Sequence, residues 1–166
     1  MRCPSLHNRR SVMTPDARLA SAQTSGPPPP GERPHIALTG RSGSLLVSSG
    51  QTAVGADGRL IASGRVGAQI DLTEARRCAW QCTLNVLTAV QSEIGSLDRI
   101  AATVRLTVYV ASDPAFTDQH LVADAATECL LDVLGPKVGR HARAAIGVAV
   151  LPTGSPVEVE ATFELA

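Results

Sequence analysis

One arginine near the end of the chain lies among side chains that cannot pair with it. After Arg143, the sequence continues with uncharged residues until Glu158, the next charged position. A guanidinium presents a planar set of donors that matches a carboxylate through two parallel hydrogen bonds. The partner of Arg143 is therefore expected to be Glu158 or an anionic ligand, unless this arginine is a solvated residue at the rim of a strand. Composition alone favours the solvated rim residue.

Both residues lie in a stretch, residues 141–166, that predicts two strands joined by a turn. Ile146, Val148 and Val150 alternate with alanine and glycine before the turn, and apolar residues alternate with glutamate or threonine after it. Alternation with a period of two is typical of half-buried strands. Residues 151–156 contain two prolines and a glycine, which favour a turn and interrupt a strand ladder. We therefore predict that the arginine and the glutamate lie on the two strands of a closing β-hairpin.

Upstream, the pattern predicts two short strands and a helix. The strands, residues 33–39 and 44–49, flank two glycines and would form a hairpin. The helix is expected to begin at Asp71, an N-cap residue with a glutamate three positions later, because this arrangement is typical of a capping box. Gly95 suits the position just after a helix, so the helix is expected to end there.

A long strand and a second helix complete the predicted order. Along residues 99–110 every second residue is apolar, and we expect these residues to share one buried face. They are Ile100, Ala102, Val104, Leu106, Val108 and Val110. The second helix is expected to begin at Ser112, an N-cap residue followed closely by a proline, and to run to about Leu134. The order β-β-α-β-α-β-β predicts an α+β sandwich, one sheet with two helices on one face, whose other face needs cover by self-association.

Two motifs in the sequence resemble the RidA/YjgF family, a C-terminal signature and an upstream tripeptide. Ala142-Arg143 is followed, after seven residues, by Leu151-Pro152 and then by the sequence VEVEA at residues 157–161. Upstream, Ser49-Gly50-Gln51 follows a short apolar run, as the family's Ser-Gly-Gln does. The resemblance extends from about residue 34 to the end of the chain, and the residues around the arginine are similar to a less-characterised YjgF-like subgroup.

The resemblance implies a fold and an activity. RidA/YjgF proteins have a chorismate-mutase-like fold and form homotrimers with sites in the clefts between subunits. Their best-supported activity is the hydrolysis of reactive 2-imino acids and enamine tautomers to 2-keto acids and ammonia, which makes them deaminases. The substrate would be a small-molecule carboxylate that leaves a pyridoxal-phosphate enzyme. No metal or organic cofactor is implied for the deaminase itself.

The resemblance also assigns roles to residues at the matching positions. Arg143 would bind the substrate carboxylate, and Ser49 and Gly50 would line the pocket through their backbone. Glu158 would orient or activate the attacking water. It could equally be a solvated strand carboxylate beside Glu160, and the sequence does not separate these two interpretations.

Three positions depart from the family pattern. His35 lies one residue away from a Pro-Tyr position of many members; it would donate a hydrogen bond in the substrate site or, as we favour, be an ordinary surface imidazole. Ala145 replaces a frequent cysteine. Asp124 stands where the subgroup usually has asparagine, and a carboxylate in the substrate site would repel the substrate unless it is protonated or turned away. The departures favour an alternative, a non-catalytic trimer that binds small carboxylates or a partner protein.

Composition argues against several other functions. The 166 residues carry 15 basic and 15 acidic side chains, a formal net charge of zero, and only 2% aromatic residues. Partners such as nucleic acids and membrane surfaces are therefore not supported, and neither is the ribonuclease activity reported for parts of the family. No apolar run approaches the roughly 20 residues of a membrane span, and the N-terminal residues lack the apolar segment of a secretion signal.

The cysteines indicate a reducing compartment more than a metal site. Cys78 and Cys82 lie four residues apart on a predicted helix and would share one face. They could form half of a metal site, but no pair of histidines or cysteines at ligand spacing completes it. We interpret them as buried free thiols and expect a cytoplasmic protein.

The first residues predict an arm that precedes the folded domain. Residues 1–31 are polar, show no sustained apolar period and end close to four consecutive prolines, which is typical of disorder beside a stiff polyproline segment. We therefore predict a disordered arm at residues 1–31 and a RidA/YjgF-like domain at residues 32–166. Met13 is a candidate for the physiological start, with a short helix after it.

Overall fold

The computed structural model describes residues 14–19 and 36–166. Met13, His35 and most of the predicted arm lie outside the described residues, so the predictions made for them stay predictions. The short helix predicted after Met13 is present at residues 15–19. Ile36–Ala166 forms a separate compact unit, which contains every other element given below.

Within the described part of this unit, one six-stranded sheet is covered by two long helices. In chain order the elements are β1 (Thr39–Ser42), β2 (Leu45–Ser48), β3 (Gln51–Thr52), α1 (Leu72–Ile94), β4 (Ile100–Ala111), α2 (Gln119–Val138), β5 (Ala142–Val148) and β6 (Val157–Leu165). The sheet order is β1-β2-β6-β4-β5, and β3 also pairs with β6. Both helices contact each other and the central strands, so they cover the same face. The predicted α+β architecture is confirmed.

The first hairpin lies later in the chain than predicted. Residues 36–38 belong to no strand, and β1 begins at Thr39. The turn to β2 contains Gly43, whose φ of 60° lies in the left-handed region that glycine adopts without steric cost. The hairpin itself is as predicted, because Ser42 pairs with Leu45 across this turn.

The first long helix begins and ends as predicted. Oδ1 of Asp71 accepts a hydrogen bond from the backbone N–H of Glu74 at 2.8 Å. At the other end Gly95 has a φ of 83°, and its N–H donates to the carbonyl of Gln91. The buried stripe of α1 includes two of the free cysteines, and Trp80 beside it is partly buried against the core.

The closing hairpin predicted for the last two strands is wrong. β5 and β6 do not pair with each other, because β4 lies between them. Arg143 of β5 is opposite Leu106 in a parallel pair, and Glu158 of β6 is opposite Tyr109 in an antiparallel pair. A parallel pair needs a long crossover, which α2 supplies between β4 and β5. Alternation identified both strands but carried no information about their neighbours.

The second helix begins later than predicted. Ser112 does not cap it, because its backbone N–H donates to the carbonyl of Val148 at 3.0 Å and so continues the sheet. Asp113 instead opens a turn in which its carboxylate accepts a backbone N–H two residues ahead at 3.0 Å. α2 starts at Gln119, and its regular part ends at Gly135, whose φ of 76° breaks the helix where the sequence indicated a stop.

The alternation predicted for β4 holds for most of the strand but not at its start. Leu106, Val108 and Val110 are fully buried towards the helices. Val104 was expected on the same face, yet 43% of it is exposed, and Thr103 is buried in its place. A bulge causes the difference, because the register between β4 and β6 shifts just after Thr103.

The core between the sheet and the helices is built mainly from aliphatic side chains. The largest fully buried side chain is Phe163 of β6, and the next largest are leucines and valines. On β6, each apolar residue faces this core and each intervening glutamate or threonine faces the uncovered side of the sheet. The uncovered side is called the open face below.

Candidate active site

Arg143 lies at the edge of the sheet and reaches towards α2. Its Nη1 donates to Oδ1 of Asp124 at 2.8 Å and to Oγ1 of Thr127 at 2.9 Å, and its Nη2 donates to the carbonyl of His120 at 3.4 Å. In the ion pair the side chains of Arg143 and Asp124 remain 24% and 42% exposed. Within the described chain, Arg143 therefore contacts Asp124 and not Glu158, and it is not a freely solvated rim residue.

Helical spacing explains why these partners face the arginine together. His120, Asp124 and Thr127 are separated by four and three residues, so they lie on one face of α2. From the sequence we expected Asp124 to repel the substrate unless it is protonated or turned away. In the structure its carboxylate points towards Arg143 and forms an ion pair with it. This spacing is visible in the sequence. The strand that this face of α2 contacts was not predicted, because β5 was expected to pair with β6 instead of with β4.

A histidine and a threonine extend the contacts of the arginine. Nδ1 of His141 lies 2.6 Å from the carbonyl oxygen of Gly139, which can only accept, so Nδ1 carries the proton. Nε2 of the neutral ring then accepts from the hydroxyl of Thr127, 3.1 Å away. Burial lowers the pKa of His141, the nearby charge of Arg143 lowers it further, and the bond to Gly139 opposes both. We call Arg143, Asp124, Thr127 and His141 the helix-side group.

Glu158 projects from the opposite face of the sheet. Its neighbours Val157 and Val159 are fully buried towards the helices, and successive strand residues point to opposite faces. Arg143, in contrast, contacts α2 on the helix side. One copy of the chain therefore does not bring together the two residues that the sequence predicted to be catalytic.

The Ser-Gly-Gln segment meets Glu158 on the open face. A Cβ atom on Gly50 would overlap the carboxylate of Glu158, so only glycine leaves room for this side chain as it stands. Ser49 is held in place beside it, with its Oγ donating to the carbonyl of Ala37 at 2.7 Å. The structure thus brings Ser49, Gly50 and Glu158 together, while the remaining predicted substrate-binding residue, His35, lies outside the described residues.

Two further polar residues, Tyr109 and Glu160, lie beside Glu158, and neither was predicted from the sequence as a site residue. Oη of Tyr109 donates to Oε1 of Glu160 at 3.1 Å. Burial raises the pKa of Glu158, and the charge of Glu160 raises it further. Burial is also the main reason why the pKa of Tyr109 is raised. The sequence signal that could have identified Tyr109 as a site residue was its position on the polar face of the predicted strand β4. We call Gly50, Tyr109, Glu158 and Glu160 the open-face group.

Apolar side chains accompany this group on the uncovered side. Leu45 and Val47 of β2 are 44% and 45% exposed, and they pair with outward-facing residues of β6. Ile146 of β5 is 38% exposed and lies opposite Tyr109. A sheet face that carries several exposed apolar side chains has the character of a contact surface.

Other kinds of site receive no support from the described residues. Across residues 14–19 and 36–166, no cluster of three or more histidine, cysteine, aspartate or glutamate side chains is arranged to hold a metal ion. The helices described there are also too short or too polar to cross a membrane.

Comparisons with known proteins agree on one family. Residues 35–164 match the family model described as Endoribonuclease L-PSP. Protein TCP17 of Trypanosoma cruzi is 47% identical over 103 residues, which make up 62% of this chain and only 64% of that protein. A crystal structure of a protein of unknown function from Agrobacterium tumefaciens is 39% identical, with a TM-score of 0.76, and the match covers 80% of this chain and 83% of that one. A crystal structure from Shewanella oneidensis has the same TM-score, 0.76, at 27% identity, with coverage of 92% and 100%.

Proposed function

Since the chain belongs to the family described as Endoribonuclease L-PSP, the YjgF/RidA family, we propose that it hydrolyses 2-imino acids and their enamine tautomers to 2-keto acids and ammonia. The observation that carries the proposal is the state of Arg143. Three hydrogen bonds hold its guanidinium in place, while 24% of the side chain remains exposed. A guanidinium that is already ordered can bind a substrate carboxylate on its remaining donors at a small entropic cost.

Glu158 is the proposed base. Its carboxylate is half-buried, and its raised pKa makes it a better proton acceptor than an exposed glutamate. In the proposed reaction it takes a proton from a water molecule that attacks the imine carbon. The resulting carbinolamine expels ammonia and leaves the 2-keto acid, so water is the only co-reactant.

The proposed site forms between copies of the chain. Arg143 and Glu158 project from opposite faces of the sheet, so the arginine of one copy has to meet the glutamate of another. The exposed apolar residues of the open face support a homotrimer in which this face is covered. Ser49 and Gly50 would then line the cleft beside the glutamate.

We place the protein in the cytoplasm, without nucleic-acid or membrane partners. Three cysteines among the described residues, Cys78, Cys82 and Cys129, are buried and free. Burial raises the pKa of Cys78 and of Cys129 to about 11, so these thiols stay protonated and unreactive. Such thiols suit a reducing compartment.

The ion pair favours one alternative function. Because Asp124 already balances the charge of Arg143, the site could belong to a non-catalytic trimer that binds a small carboxylate or a partner protein. Hydrolysis of an imine separates the two functions, since a binding protein releases no ammonia.

The proposal is tested by competition for a reactive imine. An amino-acid oxidase generates 2-imino acids in the presence of semicarbazide, which traps them, and the deaminase removes them before they are trapped. We expect the wild-type protein to lower the yield of trapped product and Arg143→Ala to have no effect. Arg143→Lys should lose about 100-fold in rate, because lysine keeps the charge but not the paired donors.

Arg59→Ala is the matched control, since Arg59 is exposed in a loop and belongs to neither group of residues. It should behave as the wild type does. Near-normal turnover by Arg143→Lys would disprove the carboxylate role. No effect of the wild-type protein on either small or bulky imines would favour the binding protein.

A further inference from the structure

The helix-side group offers two opposite charges to a single ligand. We infer that this site selects zwitterions, molecules that carry a carboxylate and a protonated nitrogen on the same carbon atom, and that Asp124 determines this selectivity. The inference rests on the proposed function and makes the protonated 2-iminium acid its substrate. Arg143 binds the carboxylate of this substrate, and Asp124 binds its nitrogen.

The hydrogen bonds around the arginine leave both charges available. Nη1 of Arg143 is occupied by Asp124 and Thr127. Nη2 uses one of its two donors on the carbonyl of His120. A guanidinium has five N–H donors, so the second donor on Nη2 and the one on Nε remain for a ligand carboxylate. Within residues 36–166 the ion pair occupies only Oδ1 of Asp124 and leaves Oδ2 without a hydrogen-bond partner. With 42% of the Asp124 side chain exposed, Oδ2 can accept an N–H from the same ligand.

The charges also discriminate between classes of ligand. A ligand with a carboxylate alone is attracted by Arg143 and repelled by Asp124, because the two charges lie within hydrogen-bond distance of each other. Its net attraction is therefore small. A zwitterion places its own opposite charges against both residues and gains from each. At neutral pH His141 adds little charge here, because burial and the nearby charge of Arg143 both lower the pKa of its ring.

The selected form of the substrate is the one that reacts with water. A protonated imine carries its positive charge across the C=N bond, which makes the carbon electrophilic. A carboxylate beside the nitrogen stabilises that cation. Water then forms a C–O bond while the C=N electron pair moves to nitrogen. A proton then passes from the added water to the nitrogen, the C–N bond breaks with its electron pair leaving on ammonia, and ammonia takes the remaining hydroxyl proton, so that iminium acid and water give 2-keto acid and ammonium.

Equilibrium binding to the full chain tests the inference without any turnover. Isothermal titration compares 2-aminobutyrate, a zwitterion, with 2-ketobutyrate, an anion with the same carbon skeleton. We expect the wild-type protein to bind the zwitterion more tightly, with a ratio of dissociation constants of roughly tenfold, the effect of one charge interaction worth about one pKa unit. Asp124→Asn keeps an acceptor for Nη1 but loses the charge, so the ratio should fall to one or invert.

Two further variants separate selectivity from folding. Asp124→Glu restores the negative charge and should recover part of the preference for the zwitterion. Asp132→Asn removes an exposed carboxylate from the same helix and should leave the ratio unchanged. Circular dichroism and thermal unfolding of each variant show whether the fold is intact before the binding ratios are compared.

The outcomes distinguish this inference from the proposed function. Preferential binding of the zwitterion without imine hydrolysis would support the selectivity and refute the deaminase. Equal or tighter binding of the anion by the wild-type protein would overturn the selectivity, and the imine assay would still test hydrolysis separately. An unchanged ratio of dissociation constants in Asp124→Asn would also overturn the selectivity. Failure of the wild-type protein to bind either compound would refute the selectivity, whatever the imine assay shows.

Discussion

The helix-side group and the open-face group are positioned by different means. Around Arg143, side chains hold one another through a continuous set of hydrogen bonds from Asp124 to His141. Among the residues that the structure describes, Glu158 has no comparable partner. Its strand sets its direction, and Gly50 leaves the space that it occupies. The proposed binding element is therefore complete within one chain, whereas the proposed base depends on what covers the open face.

The two groups also differ in charge. The helix-side group is locally balanced, because an arginine and an aspartate form an ion pair. The open-face group carries two neighbouring carboxylates, which is one reason why the pKa of Glu158 is raised. A balanced pair suits recognition, since it adds little net charge to the surface. A carboxylate whose pKa is raised suits proton transfer, since it gains more by accepting a proton.

The largest expected effect comes from mixing two inactive variants. Arg143→Ala lacks the proposed clamp and Glu158→Gln lacks the proposed base, so each should be inactive alone. If the site forms between copies, oligomers assembled from an equal mixture should recover about a quarter of the wild-type activity, because half of the sites keep each residue. The imine-trapping assay measures the recovery after the variants are unfolded and refolded together.

Each variant refolded alone is the control for this mixture. Native mass spectrometry shows whether mixed oligomers have formed and whether they are trimers. Mixed oligomers without any recovered activity would contradict a site shared between copies.

A smaller effect is expected when the space beside Glu158 is filled. In Gly50→Ala the new methyl group displaces the carboxylate, and we expect turnover to fall about tenfold, a part of the usual contribution of a general base. The free energy of unfolding should change by less than about 1 kcal/mol, because a flexible side chain can move aside. Steady-state kinetics and urea unfolding measure the two quantities.

Gly40→Ala is the matched substitution, because a Cβ atom there meets no other atom within 4 Å. It should leave turnover unchanged. A similar loss of activity in both variants would show that the effect of Gly50→Ala is not caused by Glu158.

The smallest expected effect concerns the pH dependence of stability. The pKa of His141 in the folded protein lies below 6.5, chiefly because burial disfavours the charged ring. Between that lowered pKa and 6.5 the unfolded chain binds more protons than the folded one, so the free energy of unfolding should fall as the pH drops through this window. Urea unfolding at a series of pH values measures the slope. His141→Gln does not titrate and should flatten it, whereas an equally steep slope in the variant would exclude His141 as the cause.

Local signals in the sequence were sufficient for most elements of the fold. The capping residue Asp71 and the terminal Gly95 bound the first helix because their effects act within one helical turn. The period-two alternation of β6 is visible in the structure because one side of that strand is buried along its whole length. These features depend on neighbouring residues only, which a sequence displays directly.

Features that depend on distant residues were not predicted. The neighbour of β5 depends on the crossover through α2. The alternation of β5 would be the same beside β4 or beside β6, so it could not indicate which strand is the neighbour. The bulge that exposes Val104 adds one residue to β4 without a local signal such as glycine. The pairing of Asp124 with Arg143 follows from the crossover as well, so the sequence supplied the residues of the candidate site but not their partners.

The shortage of aromatic residues gives the protein two separate optical reporters. Its single tryptophan, Trp80, packs against the core from the helical layer, and its single tyrosine, Tyr109, lies on the open face in a hydrogen bond to Glu160. Tryptophan fluorescence therefore reports on the packing of the helices alone. Ionisation of the tyrosine adds absorbance at longer wavelengths than the neutral ring has, so titration of Tyr109 reports on the open face without any label.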